Sequence, residues 1–422
     1  MARSLKHALN TLLFSGVLIA SGCDVVSFLG GDDGIYAGGE LFGSSIALDA
    51  GRAVVGAFGS DEAFVLRREG TGWETEALLE PPEGLPKDER GADVIYSDAV
   101  DIEGSVAVVG APELGLVGAQ DPGRAFVFER ANGEWTRTAE LRAADPSIAR
   151  LYGQSVAVSS GRVAVVEAVA VDPPTGVLVD SAAVVFYERS GGGWAETSRI
   201  EETEYERHSG RSGSSLFGLG LALDGDRVAI GSPGQSVDGN AGAGVVRVYE
   251  RMGAAWALSA TLSAPSLRAD DFMGELVAFD GSIIAAVARG RSLDGRLGVG
   301  SAFVYREHGT EWAVEGELRP ADLTLRDLYG RSIAASGDRV AVGAIGRAQS
   351  RGSVFVWVRL PSGTWELEAE LWPEGLGRNS SFGESVALEG DHLLAGANNA
   401  SSGKGRVYSF RRGRDGWVQG GD

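Results

Sequence analysis

Three stretches decide how this chain folds: FGLGLALDGDRVAIGSP over Phe217–Pro233, YGRSIAASGDRVAVGA over Tyr329–Ala344 and FGESVALEGDHLLAGA over Phe382–Ala397. Each gives an aromatic–glycine pair, a short apolar run, a turn rich in Asp and Gly, a second apolar run, and a glycine with a small neighbour. Further copies begin at Phe42, Tyr96, Tyr152 and Met273, so successive units start 54, 56, 65, 56, 56 and 53 residues apart. Self-similarity at a fixed period overrides the expectation, from 422 residues, of two or three separate domains.

Each unit has a second half, exemplified by GRAFVFERANGEW ending at Trp135 and GSAFVYREHGTEW ending at Trp312. It consists of a small residue, an alternating strand, a polar turn and a tryptophan. Trp73, Trp135, Trp194, Trp256, Trp312, Trp365 and Trp417 fall in register, seven of the nine tryptophans in the chain, so there are seven units. A unit reads as four strands. A and B are nearly all apolar, as suits strands buried on both faces. C alternates with period two, and D runs on from the tryptophan. The fold class is therefore all-β, a seven-bladed β-propeller with four antiparallel strands per blade. A solenoid would call for atypical capping units at both ends instead.

The N-terminus reads as a targeting segment. Arg3, Lys6 and His7 precede the apolar run Ala8–Ala20, which is too short and polar for a membrane-spanning helix, and Ala20-Ser21-Gly22-Cys23 follows. This resembles a bacterial lipobox, which implies lipidation at Cys23, the only cysteine. The expected organisation is a lipoprotein signal peptide over 1–22, a lipidated N-terminus with a linker or closing strand over 23–40, and the propeller over 41–422. Only five residues follow Trp417, so the seventh unit reads as lacking strand D. The apolar stretch Val25–Leu29 is the expected source of that strand, with a plain linker as the alternative.

The aromatic–glycine pairs together with Gly110-Ala111-Pro112 and its variants Gly231-Ser232-Pro233, Gly56-Ala57, Gly343-Ala344 and Gly396-Ala397 resemble FG-GAP repeats, the units of the integrin α-subunit propeller and of many bacterial extracytoplasmic proteins. Copies three and five read as degenerate, with Glu167-Ala168 and Val287-Ala288 at the second glycine. The resemblance implies the fold and leaves the chemistry open. Integrin-type repeats often carry calcium in the A–B loop, whereas the turns here, such as Leu48-Asp49-Ala50-Gly51, offer one or two carboxylates where that ion needs six to eight oxygens. No cofactor or metal is expected.

A formal net charge of −20 argues against nucleic-acid binding. His208, His308 and His392 lack metal-ligand spacing, and nucleophile-elbow, phosphate-loop, H-E-x-x-H and sialidase-box motifs are absent. Phe42, Tyr96, Tyr152, Phe217, Tyr329, Phe382 and the seven tryptophans are expected to wedge between blades. Asp145, Asp270, Asp271, Asp322 and Asp327 precede the aromatic–glycine pairs. They are expected to cap loop amides, the alternative being a ring of carboxylates around one mouth of the channel.

Strand order sends the A–B and C–D turns to one face and the B–C and D–A loops to the other. The first set is short and the second long and varied, and binding concentrates on such loops. The expected function is a non-enzymatic, lipid-anchored binding module of the cell envelope, on the periplasmic side of the inner membrane or on the outer membrane or surface. It would recognise a protein or glycan through the long-loop face as a monomer, touching membrane only through its anchor. A propeller-based hydrolase or lyase and an envelope-assembly scaffold are the alternatives.

Overall fold

A computed structural model describes residue 35 and residues 40–81, 97, 99–112, 123–145, 149–169, 181–202, 217–292, 296 and 298–420. Cys23, Val25–Leu29 and Tyr96 lie outside them. Seven sheets, each with its four principal strands in the order A-B-C-D and every neighbouring pair antiparallel, make a seven-bladed propeller. Blade 6 shows the plan, with A over Tyr329–Ser336, B over Arg339–Ala344, C over Ser353–Arg359 and D over Trp365–Leu371. Blade 3 adds a two-residue strand, Ala149–Arg150, against the end of its strand B. In blade 5, all six residues of strand B, Ile283–Ala288, are buried, while strand D, Glu311–Leu318, is mostly exposed at the rim.

The core is divided into seven apolar clusters, each straddling two adjacent blades and each packed with one repeat tryptophan. Six of the clusters also hold a buried unit-opening residue: Tyr152, Phe382, Met273, Tyr329, Phe217 or Phe42. Single sheets cannot bury both faces, so the ring is the smallest stable body.

Glycines set how closely blades approach. Gly110 of blade 2 meets Gly153 of blade 3, where a Cβ on Gly110 would lie 2.0 Å from the Gly153 carbonyl oxygen. Gly153 itself has φ +89°, which glycine adopts at no steric cost. The structure corrects the register expected for blade 3: Val166, not Glu167, occupies the second-glycine position, packing against Gly218. Glu167 instead fills the slot that is Ala111 or Ala344 elsewhere. It is buried, one carboxylate oxygen lacks a hydrogen bond among the described residues, and burial raises its pKa.

Two polar rings join the blades. On the short-turn face, the last side chain of each strand A accepts a hydrogen bond from the A–B turn amide of the next blade: Asp49 from Gly104 (2.6 Å), Glu103 from Ser160, Ser159 from Gly225 (3.0 Å), Asp224 from Gly281 (3.2 Å), Asp280 from Gly337 (2.5 Å), Ser336 from Gly390 (3.1 Å) and Glu389 from Ala50 (2.7 Å). The turn carboxylates are thus engaged between blades. At the rim, a one-residue bulge in strand D turns Glu76, Glu315 and Glu368 towards the next blade. Glu368 accepts from Arg339 of its own blade (2.9 Å) and from Arg412 (2.6 Å) and Trp417 (3.0 Å) of blade 7.

Blade 7 has a strand D after all, shortened to Gly416–Gln419. Its continuation comes from the other end of the chain. Ile35 pairs antiparallel with Val407, through N–H donors in both directions at 2.7 and 3.0 Å. In blade 6 the matching position opposite Val354 is the buried Leu371. The described residues therefore place ring closure at Ile35.

Candidate functional site at the corner of blades 6 and 7

On the long-loop face, three D–A loops follow one plan. A buried leucine (Leu267, Leu323 or Leu376) sits four residues before a polar residue (Asp271, Asp327 or Ser380), which precedes the blade-opening aromatic or Met by two. At the entry to blade 5, the Asp271 carboxylate accepts from the Arg268 amide at 2.8 Å and from the guanidinium of Arg291 at 3.0 Å. Arg291 also donates to Glu317 (3.1 Å) and to the Ser266 carbonyl (2.6 Å), and its guanidinium carbon lies 5.9 Å from the centroid of the Phe303 ring. Asp271 and Arg291 are each 2% exposed.

Blade 6 repeats the device. Asp327 accepts from the Thr324 amide at 2.7 Å. Arg347 donates to Glu370 (3.0 Å) and Asp322 (2.7 Å) and lies over Phe355 (5.7 Å). Asp271 and Asp327 thus cap loop amides and hold an arginine of the following B–C loop. Asp270 is exposed, with its backbone N–H on the Ala241 carbonyl, and Asp145 is exposed in its loop.

At blade 7 the plan fails in two places. Ala400 stands where blades 5 and 6 have Arg291 and Arg347, and Ser380 stands where they have Asp271 and Asp327. Ser380 reverses the hydrogen bond, its hydroxyl donating to the Gly377 carbonyl at 2.9 Å. A cavity of about 530 Å³ opens between the loop Glu374–Ser380 and the loop Asn399–Ser402, with Tyr408, the equivalent of Phe303 and Phe355, in its wall. Its inner wall is the buried trio Leu376, Ala400 and Tyr408, part of the cluster between blades 6 and 7.

Trp372, the first residue of the same D–A loop, is 56% exposed. It is one of two tryptophans outside the repeat register, the other being the buried Trp357. Arg378 and Lys404 are exposed on the D–A and B–C loops of this corner, and their side chains have no hydrogen bond or ion pair among the described residues.

Other titratable groups are engaged structurally. Arg289 pairs with Glu275 (3.3 Å) and Arg331 with Glu384 near the blade-opening glycines, where burial lowers the Arg289 pKa. Tyr152 and Tyr187 share a buried 2.6 Å hydrogen bond. Among the described residues, no group of three or more His, Cys, Asp or Glu side chains is arranged to hold a metal ion, and no helix is long and apolar enough to cross a membrane.

Sequence reading alone passed over the corner. The signal was an arginine three residues after the small residue ending strand B, present in ARGR and AIGR and missing in ANNA.

The fold defines a seven-bladed β-propeller that contains an FG-GAP repeat. The sequence profile of the FG-GAP repeat matches residues 312–357, from Trp312 at the start of strand D in blade 5 into strand C of blade 6. Among solved structures, the chain is similar to a Bacteroides uniformis protein assigned provisionally as a 6-phosphogluconolactonase. The two share 11% identity and a TM-score of 0.52, over 85% of this chain and 90% of that one. At that identity the likeness concerns the fold alone. No curated protein matches the sequence.

Proposed function

We propose that this chain is a non-enzymatic binding module, tethered to the bacterial cell envelope by a lipid on Cys23, that recognises a protein or glycan through its B–C and D–A loops. The open corner between blades 6 and 7 carries this reading. It is a concave site within the range of small-ligand pockets, about 300–1,000 Å³, is lined by the exposed Arg378, and lies on a D–A loop that also carries the exposed Trp372, residue types that dominate binding energy at recognition surfaces. The blades elsewhere are joined by buried ion pairs and turn hydrogen bonds, which leaves recognition to the loops.

The test is capture by the full-length chain, immobilised through its C-terminus, from panels of envelope glycans and extracellular proteins. Specific capture that is lost when Trp372 and Arg378 are both changed to alanine supports the proposal. Turnover of a substrate by the wild-type chain, with no ligand retained, would replace it with the enzyme reading. For the anchor, Cys23→Ser should abolish metabolic labelling with a fatty acid and detergent partitioning. Identical partitioning of mutant and wild type would remove the lipid from the account.

A further inference from the structure

We infer that the outer edge of blade 4 is a strand-addition site, which takes an extended segment of a partner protein with an uncharged centre and basic ends. The inference goes beyond recognition by the loop face and concerns a different surface, the rim of the ring.

Each strand D ends its sheet, so among the described residues it has a ladder neighbour on one side only. An open edge of this kind is a template for another strand, and charged side chains along it are the usual defence. The outer strands of blades 1, 2, 3, 5 and 6 carry two or three charged residues each, as in EWTRTAEL of blade 2 and EWAVEGEL of blade 5. The outer strand of blade 7 carries none, but it spans only Gly416–Gln419 and Ile35 continues it. Blade 4 has neither protection. Its strand D, Ala255–Leu262, reads AWALSATL over eight residues. No charged residue occurs between Arg251 and Arg268.

The side chains of this edge suit a further strand. The bulge residue, Glu315 in blade 5 and Glu368 in blade 6, is Ser259 here, and its hydroxyl donates to the Val248 carbonyl of its own blade at 3.1 Å. Ala255, Ser259 and Thr261 are exposed and small. Leu258 is 53% exposed, and Met252, at the turn leading into the strand, is 70% exposed. A strand laid alongside at the ordinary spacing of about 4.8 Å would pair the open backbone groups and cover Leu258, with no charge to desolvate.

The flanks supply the charge preference. On one side Trp256 donates to Ser198 in the outer strand of blade 3 at 3.2 Å. On the other, Ala260 and Leu262 share an apolar cluster with Trp312 of blade 5. The outer strands of blades 3 and 5 together hold five carboxylates against one arginine, Arg199. Glu311 stands at the start of the blade 5 strand and Glu201 at the end of the blade 3 strand, both exposed. A neutral edge set between acidic neighbours favours a segment whose centre is uncharged and whose ends carry Lys or Arg. A second copy of this chain, at a formal net charge of −20, is repelled instead.

The experiment titrates the full-length chain with a fluorophore-labelled synthetic peptide, Lys-Thr-Val-Ser-Val-Thr-Val-Lys, and with a second in which both lysines are glutamates. Fluorescence anisotropy reads affinity, and hydrogen exchange reads the place of binding. The lysine peptide should bind and protect backbone amides within Ala255–Leu262, and the glutamate peptide should bind about tenfold more weakly or not at all. Leu258→Lys should weaken the lysine peptide by at least about tenfold while leaving the melting temperature unchanged, because the side chain is exposed. Val314→Lys, the matching change on the charged edge of blade 5, should leave binding as it was. Loop-face capture that depends on Trp372 and Arg378 should survive Leu258→Lys.

Absence of binding, equal affinity for the two peptides, protection confined to other strands, or equal losses in Leu258→Lys and Val314→Lys would each overturn the inference. Self-association of the wild-type chain through Ala255–Leu262, without peptide, would overturn it in favour of a second copy. None of these outcomes bears on recognition by the loop face.

Discussion

Blades 5 and 6 close their long-loop corners with an arginine held between two carboxylates and an aromatic ring, whereas blade 7 presents an alanine and a serine at the same positions and leaves a cavity. The three corners share the length of their D–A loop, their buried leucine and their aromatic floor. Two side chains therefore separate a sealed corner from an open one. In blades 5 and 6 the polar groups are consumed in holding the loop, while at blade 7 similar groups face the cavity. A repeat scaffold can make a site by subtraction, omitting a structural network from one copy of a motif that its neighbours keep.

The largest effect should come from breaking a sealed corner. Arg291→Ala strands the Asp271 carboxylate, which is 2% exposed, and removes a partner of Glu317. Loss of one member of a buried ion pair costs about 3–5 kcal/mol, so urea denaturation should show a loss of that order. Arg378→Ala at the open corner should stay within about 0.5 kcal/mol of wild type. Equal effects at the two corners would erase the distinction between them.

Blade 7 differs a second way, because its outer strand is shared between the two ends of the chain. Leu371→Ala in blade 6 deletes a buried side chain within one continuous strand and should cost about 2–5 kcal/mol. Ile35→Ala weakens a contact that also closes the ring. Ile35 is only half-buried, so a smaller loss of about 2 kcal/mol is expected. It should come with a rise in concentration-dependent association as the edge of strand C at Val407 loses its partner. A monomeric Ile35→Asp variant with an unchanged melting temperature would show that closure lies elsewhere.

Much of this was readable before any coordinates. The five aromatic–glycine pairs, with Tyr96-Ser97 and Met273-Gly274 in the same register, and the seven tryptophans report on backbone approach and blade packing, and so stand out as a period. The bulge glutamates were less visible. Glu76, Glu315 and Glu368 lie three residues after a tryptophan, but in blades 2, 3 and 4 the bulge residue is Thr138, Thr197 or Ser259, and rim glutamates such as Glu129 and Glu188 take over the arginine contacts. The same contact made from two sequence positions leaves no motif. The missing strand of blade 7 was legible as a deficit, yet pairing of Ile35 with Val407 depends on distance in space. The corner itself is marked by what one copy lacks.

Away from the corners, the inner strands give a pH dependence. The Asp101 carboxyl accepts from the amides of Ile102 (2.9 Å) and Val158 (2.7 Å). Burial, joined by the like charges of Glu103 and Asp49, pushes its pKa up from 3.8 to about 7 against those two bonds. The folded chain thus keeps a proton that the unfolded chain has released. This group's contribution to stability is complete below pH 3.8 and is lost as pH rises towards 7. Glu167 is shifted in the same direction by burial. Asp101→Asn should therefore flatten the fall in melting temperature between about pH 4 and pH 7. An unaltered pH profile would mean that the carboxyl is charged throughout that range.

The smallest effect on stability and the sharpest on binding should come from writing the blade 6 corner into blade 7. The double variant Ser380→Asp with Ala400→Arg supplies the carboxylate and guanidinium of the blade 6 corner, and its melting free energy should stay within about 1 kcal/mol of wild type. Capture by this variant of the ligand that the wild-type chain retains tests the open corner directly. The account predicts that binding is lost while the fold is kept. Undiminished binding by a folded double variant would place the ligand site elsewhere on the ring.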